Sequence, residues 1–325
     1  MGNTGGFVRH HATQCAFTTS DSWVILNPIE QSIKRKIEAV GVPLKEWDIK
    51  INFGIKTGCN EAFIIDEAKR AELIAQDPKS AEIIRPILRG RDIKRYGYNW
   101  AHLYLIATFP ARHYDIEEYP AVKNHLLTFD KKRLRDAGRD DIANSSELLS
   151  DFCHQRLEQS GKDIIINGRK IIIDGKVQKA RKKTGNGWFE TQDQIGYWED
   201  FSKPKIVWKR IGSILRFAYD NLGSFVMDST CFAVGKDIEY LTCILNSHIG
   251  HYLLKDSPQT GTGDLLVSVQ AVEPLRIPIP SASIRNIILS LFKGENITIN
   301  EKNVNDLIFD LYGFDEAERD FIVKF

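Results

Sequence analysis

The residues best suited to chemistry lie together in one stretch. Lys176, Lys179, Arg181, Lys182 and Lys183 lead into Thr184-Gly-Asn-Gly187 and then Trp188-Phe189. Clustered cations neutralise phosphodiesters and release their counterions, which gives salt-dependent affinity for nucleic acid. Aromatic rings among them can stack on bases or pack against sugars. Asn186, Gln192 and Gln194 are of the type that pairs bidentately with adenine, while Arg169, Arg181 and Arg210 are of the type that reads guanine. Each feature also has a plainer reading. The basic run fits a solvated loop, and the ten-residue spacing of Trp188, Trp198 and Trp208 fits a cover for one sheet surface.

Other chemistries find little support. There is no Walker A loop, no GxSxG elbow, no HExxH and no GxGxxG after a strand. His248 and His251 share a helix face, but no nearby carboxylate or cysteine completes a ligand set, so packing or phosphate contact suits them better than metal. A metal-dependent nuclease could draw on Asp163 and Asp174-Gly-Lys176, with Asp174→Ala as its test. The same D-x-K spacing recurs at Asp48-Ile-Lys50 and Asp92-Ile-Lys94, so it carries little weight. The five cysteines are scattered without a CxxC pair, which disfavours zinc and disulfide frameworks and fits reduced thiols. No apolar run approaches the roughly 20 residues of a membrane span, and the N-terminus lacks a signal pattern. Net charge is only +1, yet residues 161–220 hold 13 Lys and Arg against 7 Asp and Glu, a local excess that can give a one-sided electrostatic footprint.

The elements that must position these residues follow from periodicity. Ile29, Ile33, Ile37 and Val40 predict an amphipathic helix that Gly41-Val-Pro43 stops. Ile49, Ile51 and Phe53 alternate as in a strand, Gly54–Gly58 turns, and Ala62–Ile65 reads as a second strand. Residues 66–75 favour helix, Asp77 can cap a helix from Ala81, and Leu103–Ile106 is a strand. Residues 119–161 are helical and charged. Asn167-Gly168 between Ile164–Ile166 and Ile171–Ile173 signals a β-hairpin. Short strands follow at Lys205–Trp208, Leu215–Tyr219, Phe225–Met227 and Cys231–Val234. Tyr240–Leu245 and Ile249–Leu254 read as helices, then a Gly-rich loop at 258–264, an extended Pro274–Pro280, and three closing helices, the last capped by Asp315.

Five segments, in order, resemble a known family, the TaqI-like C-terminal specificity domain. Trp47–Phe63 contains Gly54-Ile-Lys-Thr-Gly58, Asn60 and Ala62-Phe63, similar to its "GI-TG-N-AF" signature. Ile84–Tyr96 is similar to "P-LRG-DI-RY". Trp188-Phe-Glu190 with Lys203-Pro-Lys-Ile-Val-Trp208 is similar to "WYE…pKI". Tyr240–Ser247 resembles the "YLLAILNS" helix, and Ile277–Pro280 the closing "IPIP". The resemblance implies a module that reads DNA for a bacterial, cytoplasmic restriction-modification enzyme, usually after an adenine-N6 methyltransferase domain. It implies that the methyltransferase or nuclease is fused upstream or carried on another chain. S-adenosylmethionine and Mg are then expected only in those catalytic domains. This chain has no Asn-Pro-Pro-Tyr motif, Asn27-Pro-Ile-Glu30 being a poor substitute, so no catalysis is expected from it.

The expected fold is α+β: a twisted mixed or antiparallel sheet with flanking helices and a helical C-terminal segment. Residues 1–22 read as a linker or severed domain edge, 23–275 as the DNA target-recognition domain, and 276–325 as the helical segment. The expected partner is duplex DNA, and no membrane. Lys56, Thr57 and Asn60 on the Gly54–Gly58 turn could contact phosphate, and Arg89 and Arg91 could contact phosphate or pair with carboxylates. Thr260 and Thr262, in the Gly-rich loop, form a second candidate contact. In a competing reading the chain is a protein scaffold for a methyltransferase or nuclease with weak DNA affinity. Reversing Lys182 and Lys183 separates the two, because only a DNA reader should lose binding.

Overall fold

A computed structural model describes residues 26–127, 164–167, 170–173, 176–179, 185–292 and 299–325 of the chain. The fold is α+β, with several sheets that are mostly antiparallel and include a parallel pair, and a helical C-terminal segment. Contacts divide it into two units. A helical unit takes Met1–Ile49, Gly212–Arg216 and Lys236–Phe325, and a sheet unit takes Lys50–Ile211 and Phe217–Gly235. No helix among the described residues is long and apolar enough to cross a membrane.

The sheet unit is built on two four-stranded sheets. One runs in the order Phe217–Asp220, Lys205–Lys209, Thr230–Gly235, Ile49–Phe53, and the other Phe225–Val226, Ile84–Leu88, Leu103–Ile106, Ile64–Asp66. Phe225–Val226 pairs parallel with Ile87-Leu88, whereas Ile84–Leu88 and Ile64–Asp66 both pair antiparallel with Leu103–Ile106. Phe201 anchors the core, its ring centroid 4.6 Å from that of Phe232 and 4.7 Å from that of Phe225. A fully buried ion pair lies within the same unit. Lys205 Nζ is 2.5 Å from Asp220 Oδ2 with both side chains at 0% exposure, and it also donates to Phe201 O at 2.6 Å. Asp220 further accepts from Tyr98 Oη at 2.7 Å and from Ser224 N at 3.0 Å, so its lone pairs are well occupied.

The third sheet joins Ile164–Asn167, Lys170–Ile173 and Lys176–Lys179, each antiparallel to the next. The predicted hairpin is present, but its closing pair is Asn167 opposite Lys170, so Asn167 belongs to the ladder and not to the turn.

In the helical unit, Pro28–Val40 starts on a capping box in which Glu30 N donates to Asn27 Oδ1 and Asn27 N to Glu30 Oε2. Ile33 and Ile37 face inward as their spacing requires, while Val40 is exposed. The helices Ile238–Asn246 and His248–Leu253 are joined tightly at Ser247, whose hydroxyl accepts from Gly250 N and donates to Ile244 O. A Cβ on Gly250 would sit 2.2 Å from Ile244 O, so only glycine lets the second helix fold back this closely. Lys36 Nζ meets Glu318 Oε2 at 2.5 Å, and Arg285 forms a two-pronged pair with Asp237. Asp315 caps the final helix, as its sequence position predicts.

Three local expectations fail. Asn60–Phe63 is a single helical turn, and only Ile64–Asp66 is strand, because Thr57 supplies its hydroxyl to the turn's first polar groups. Asp77 caps a 3-10 turn at Pro78–Glu82 where a longer helix was expected; the proline suits the first turn, and the chain enters a strand two residues later. The three tryptophans do not follow one strand period, although Trp188 and Trp198 pack against the same core. Trp208 is buried in its strand, whereas Trp188 and Trp198 are half-buried in loop and 3-10 segments where no strand period applies.

Candidate nucleic-acid interface

One turn of the sheet unit, Met227–Thr230, draws several loops to a common place. Met227 N donates to Leu88 O, Asp228 N to Ile55 O, Arg210 N to Ser229 O and Gly54 N to Thr230 O, each at 3.0 Å. Gly90 N donates to Ser229 Oγ at 3.3 Å. The glycines are fixed by these close approaches. A Cβ on Gly54 would lie 1.9 Å from Met227 O, which no rearrangement short of separating the backbones could relieve. One on Gly90 would meet Ser229 Oγ at 3.1 Å and Lys209 Cγ at 3.2 Å. Gly58 instead adopts φ +83°, a left-handed conformation that suits glycine.

The loop 185–195 joins the same cluster through its backbone. Gln192 N donates to Lys56 O and Thr57 O, both at 3.1 Å, and Thr191 N to Thr108 O at 2.9 Å. Asn186 holds the loop from within, its amide donating to Thr191 O and Gln192 O at 2.9 Å and its Oδ1 accepting from Gln194 Nε2 at 3.0 Å. Ile195 ends the loop at φ +52°, a strained conformation for a β-branched residue, and is held there by burial.

The structure therefore gathers Lys56, Thr57, Asn60, Arg89, Arg91, Asn186, Gln192, Gln194 and Arg210, and sorts them. Thr57 is fully buried and donates its hydroxyl to Asn60 Oδ1 at 2.7 Å, so it shapes the turn and cannot reach a ligand. Arg89 is held bidentately by Asp92, at 3.0 Å and 2.7 Å, and this pairing keeps its guanidinium above its usual range. By contrast Lys56, Arg91 and Lys209 are exposed and meet no hydrogen-bond or ion-pair partner among the described residues. Arg210 is half-buried with its Nε unpartnered. Burial raises the Asp193 carboxyl above the usual carboxylate range, against the pull of Lys56. The result is a loop surface rich in uncommitted donors, with Gln194 exposed beside it.

Other expected residues lie elsewhere. Trp188 packs edge-to-face on Phe189 at 5.6 Å, next to the core. Thr260 and Thr262 belong to the helical unit, where their hydroxyls are 2.8 Å apart and help close the 260–264 turn. Lys176 and Lys179 end the third strand of the hairpin sheet. Arg169, Arg181, Lys182 and Lys183 fall outside the described residues, as do Asp163 and Asp174. Sequence reasoning missed Lys209 and the Met227–Thr230 turn. Neither matches a motif, and the turn matters through its backbone, which leaves no signature in side-chain type.

Residues 85–278 match the model of the TaqI-like C-terminal specificity domain. The chain belongs to this family. Membership of a family of specificity domains supports DNA target recognition in general for these residues. Two solved structures resemble the specificity domain at low identity. One is the type IIL restriction-modification enzyme MmeI in complex with DNA, at TM-score 0.49 and 10% identity over 87% of this chain. The other is the type IIG restriction endonuclease BpuSI, at TM-score 0.46 and 12% identity over 91%. This chain spans only 35% and 32% of those two proteins. No curated protein matches it.

Proposed function

We propose that this chain reads duplex DNA for a restriction-modification enzyme, mostly through the major groove, and positions an adenine for N6 methylation by a catalytic domain outside these residues. That domain would be fused upstream or carried on a second polypeptide, in the bacterial cytoplasm. It would supply the S-adenosylmethionine and Mg sites, and the reaction would require the adenine to leave the stack. In this reading the chain performs no bond-breaking step. Phosphate contacts set its register and base-edge contacts choose the site.

One observation carries the reading: the loops around Met227–Thr230 present Lys56, Arg91, Lys209 and Arg210 with no carboxylate ion pair or side-chain hydrogen bond among the described residues. Four cations on loops that meet at one turn suit a polyanion. Gln194 and Arg210, on these loops, are of the types that reach adenine and guanine edges.

The test is binding to a randomised duplex pool at low and then moderate salt, followed by sequencing of the bound fraction. The expected result is an enriched motif, containing adenine, whose affinity falls steeply with salt. Tight binding without enrichment would assign sequence choice to another domain. No binding at low salt would overturn the reading and favour a protein scaffold.

A further inference from the structure

Beside the loop 185–195, and outside every residue assigned above, stands a stack of three side chains. Arg112 ends the 3-10 turn Pro110–Arg112, and Ala111 N ties that turn to Gln194 O at 3.2 Å. The Arg112 guanidinium lies over Trp198 with Cζ 3.8 Å from the ring centroid, and 5.2 Å from that of Tyr114. Both rings are fixed. Trp198 packs against the core of the sheet unit, and Tyr114 meets the buried Tyr119 edge-on at 5.9 Å.

No carboxylate or carbonyl among the described residues accepts from this guanidinium. That separates it from arginines with a structural task in this chain. Arg89 is paired with Asp92, Arg285 with Asp237, and Arg319 with Asp310. Arg112 has aromatic faces in their place. A ring bound to the face of a guanidinium leaves the in-plane N–H edges open, and those edges match two oxygens of a phosphate. Stacking also removes most of the rotamer freedom that a free arginine would lose on binding. Arg112, Tyr114 and Trp198 are each half-buried, so part of the stack meets solvent, and His113, next in the chain, is exposed at φ +50°.

We infer that Arg112, held on Trp198 and Tyr114, is an anchor for a phosphodiester of the DNA backbone, on a turn that one backbone hydrogen bond ties to the loop carrying Gln192 and Gln194. This rests on the DNA-reading function proposed above and adds a contact that sets register without reading sequence.

Salt-dependent duplex binding by the full chain tests it, with Arg112→Gln and Arg112→Lys compared with the unsubstituted protein. Arg112→Gln should bind about three- to tenfold more weakly at moderate salt, with the plot of log affinity against log salt shallower by about 1. The motif enriched from a random pool should not change. Arg112→Lys should keep the slope and lose only part of the affinity, since it keeps the charge without the stacked plane. Unaltered slope and affinity in Arg112→Gln, with a lowered melting temperature, would overturn the anchor and leave a purely structural stack. A changed motif would overturn it in favour of base reading. If the unsubstituted chain binds no duplex, both the anchor and the function it rests on fall, and that outcome is distinct from the other two.

Discussion

Strand Lys205–Lys209 carries a lysine at each end, and the two have opposite fates. Lys205 is at 0% exposure, paired with Asp220 and donating to Phe201 O. Burial pulls its ammonium below the usual lysine range, against the opposing pull of Asp220. Lys209, four residues on, stands exposed beside Gly90 with no partner among the described residues. At the first end the charge is satisfied inside the protein, so it serves the fold. At the second it is left for something outside. The helical unit repeats the first arrangement at Lys36–Glu318 and Arg285–Asp237. What marks the candidate interface is therefore not the number of cations but the absence of internal acceptors for them.

Asp220→Asn should break the contrast most severely. It leaves Lys205 buried without its counter-charge, and loss of one member of such a pair costs about 3–5 kcal/mol. Denaturant unfolding should show that loss, and a midpoint close to the parent's would mean that water or a shifted side chain already relieves the pair. Reversing the other end, with Arg91→Glu and Lys209→Glu together, should do the opposite. Melting temperature should hold within a few degrees while duplex affinity drops at least about tenfold and the salt slope flattens. Equal damage to stability would show that these cations serve the fold after all.

Glu318 sharpens the comparison through pH. Burial raises its carboxyl, but hydrogen bonds from Lys36, Ser32 and the Asp315 backbone outweigh this and leave it below the usual range. A carboxyl depressed in the folded state adds stability above its unfolded pKa, and that stability is lost as pH falls through the folded value. Glu318→Gln should therefore lose about 1–2 kcal/mol near pH 7. The gap from the parent should close as pH falls through the folded-state range of this depressed carboxyl; a gap that persists once it is protonated would point to packing. Gln194→Ala should have the smallest effect on the fold, within about 0.5 kcal/mol for an exposed side chain. It should also change the enriched base at one position, and an unchanged motif would remove Gln194 from the readout.

Much of the local structure was legible in the sequence because it is set by local forces. The 28–40 helix, the Ile-rich hairpin, the two helices on either side of Ser247 and the Asp315 cap each follow from residues within a few positions of one another. The misjudged segments failed where a partner distant in sequence or a side-chain hydroxyl intervened. Phe53 keeps strand alternation yet lies exposed, and Ala62-Phe63 coils because Thr57 organises its start. The site was legible only in kind. Lys56, Arg91, Asn186 and Gln194 were picked out, but so was Thr57, which is buried, and Arg89, which Asp92 holds.

The sequence by itself determined the family, through five ordered motifs, and the α+β class, through patterns of period 2 and 3.6. It also placed glycines where backbones had to meet. Tertiary structure alone decided which backbones those were, bringing Gly54 against Met227 and Gly90 against Ser229 across more than a hundred residues. It decided likewise which lysine of one strand would be buried and which exposed. A charged residue type fixes what a side chain can bind, but whether an internal acceptor already holds it depends on contacts remote in sequence.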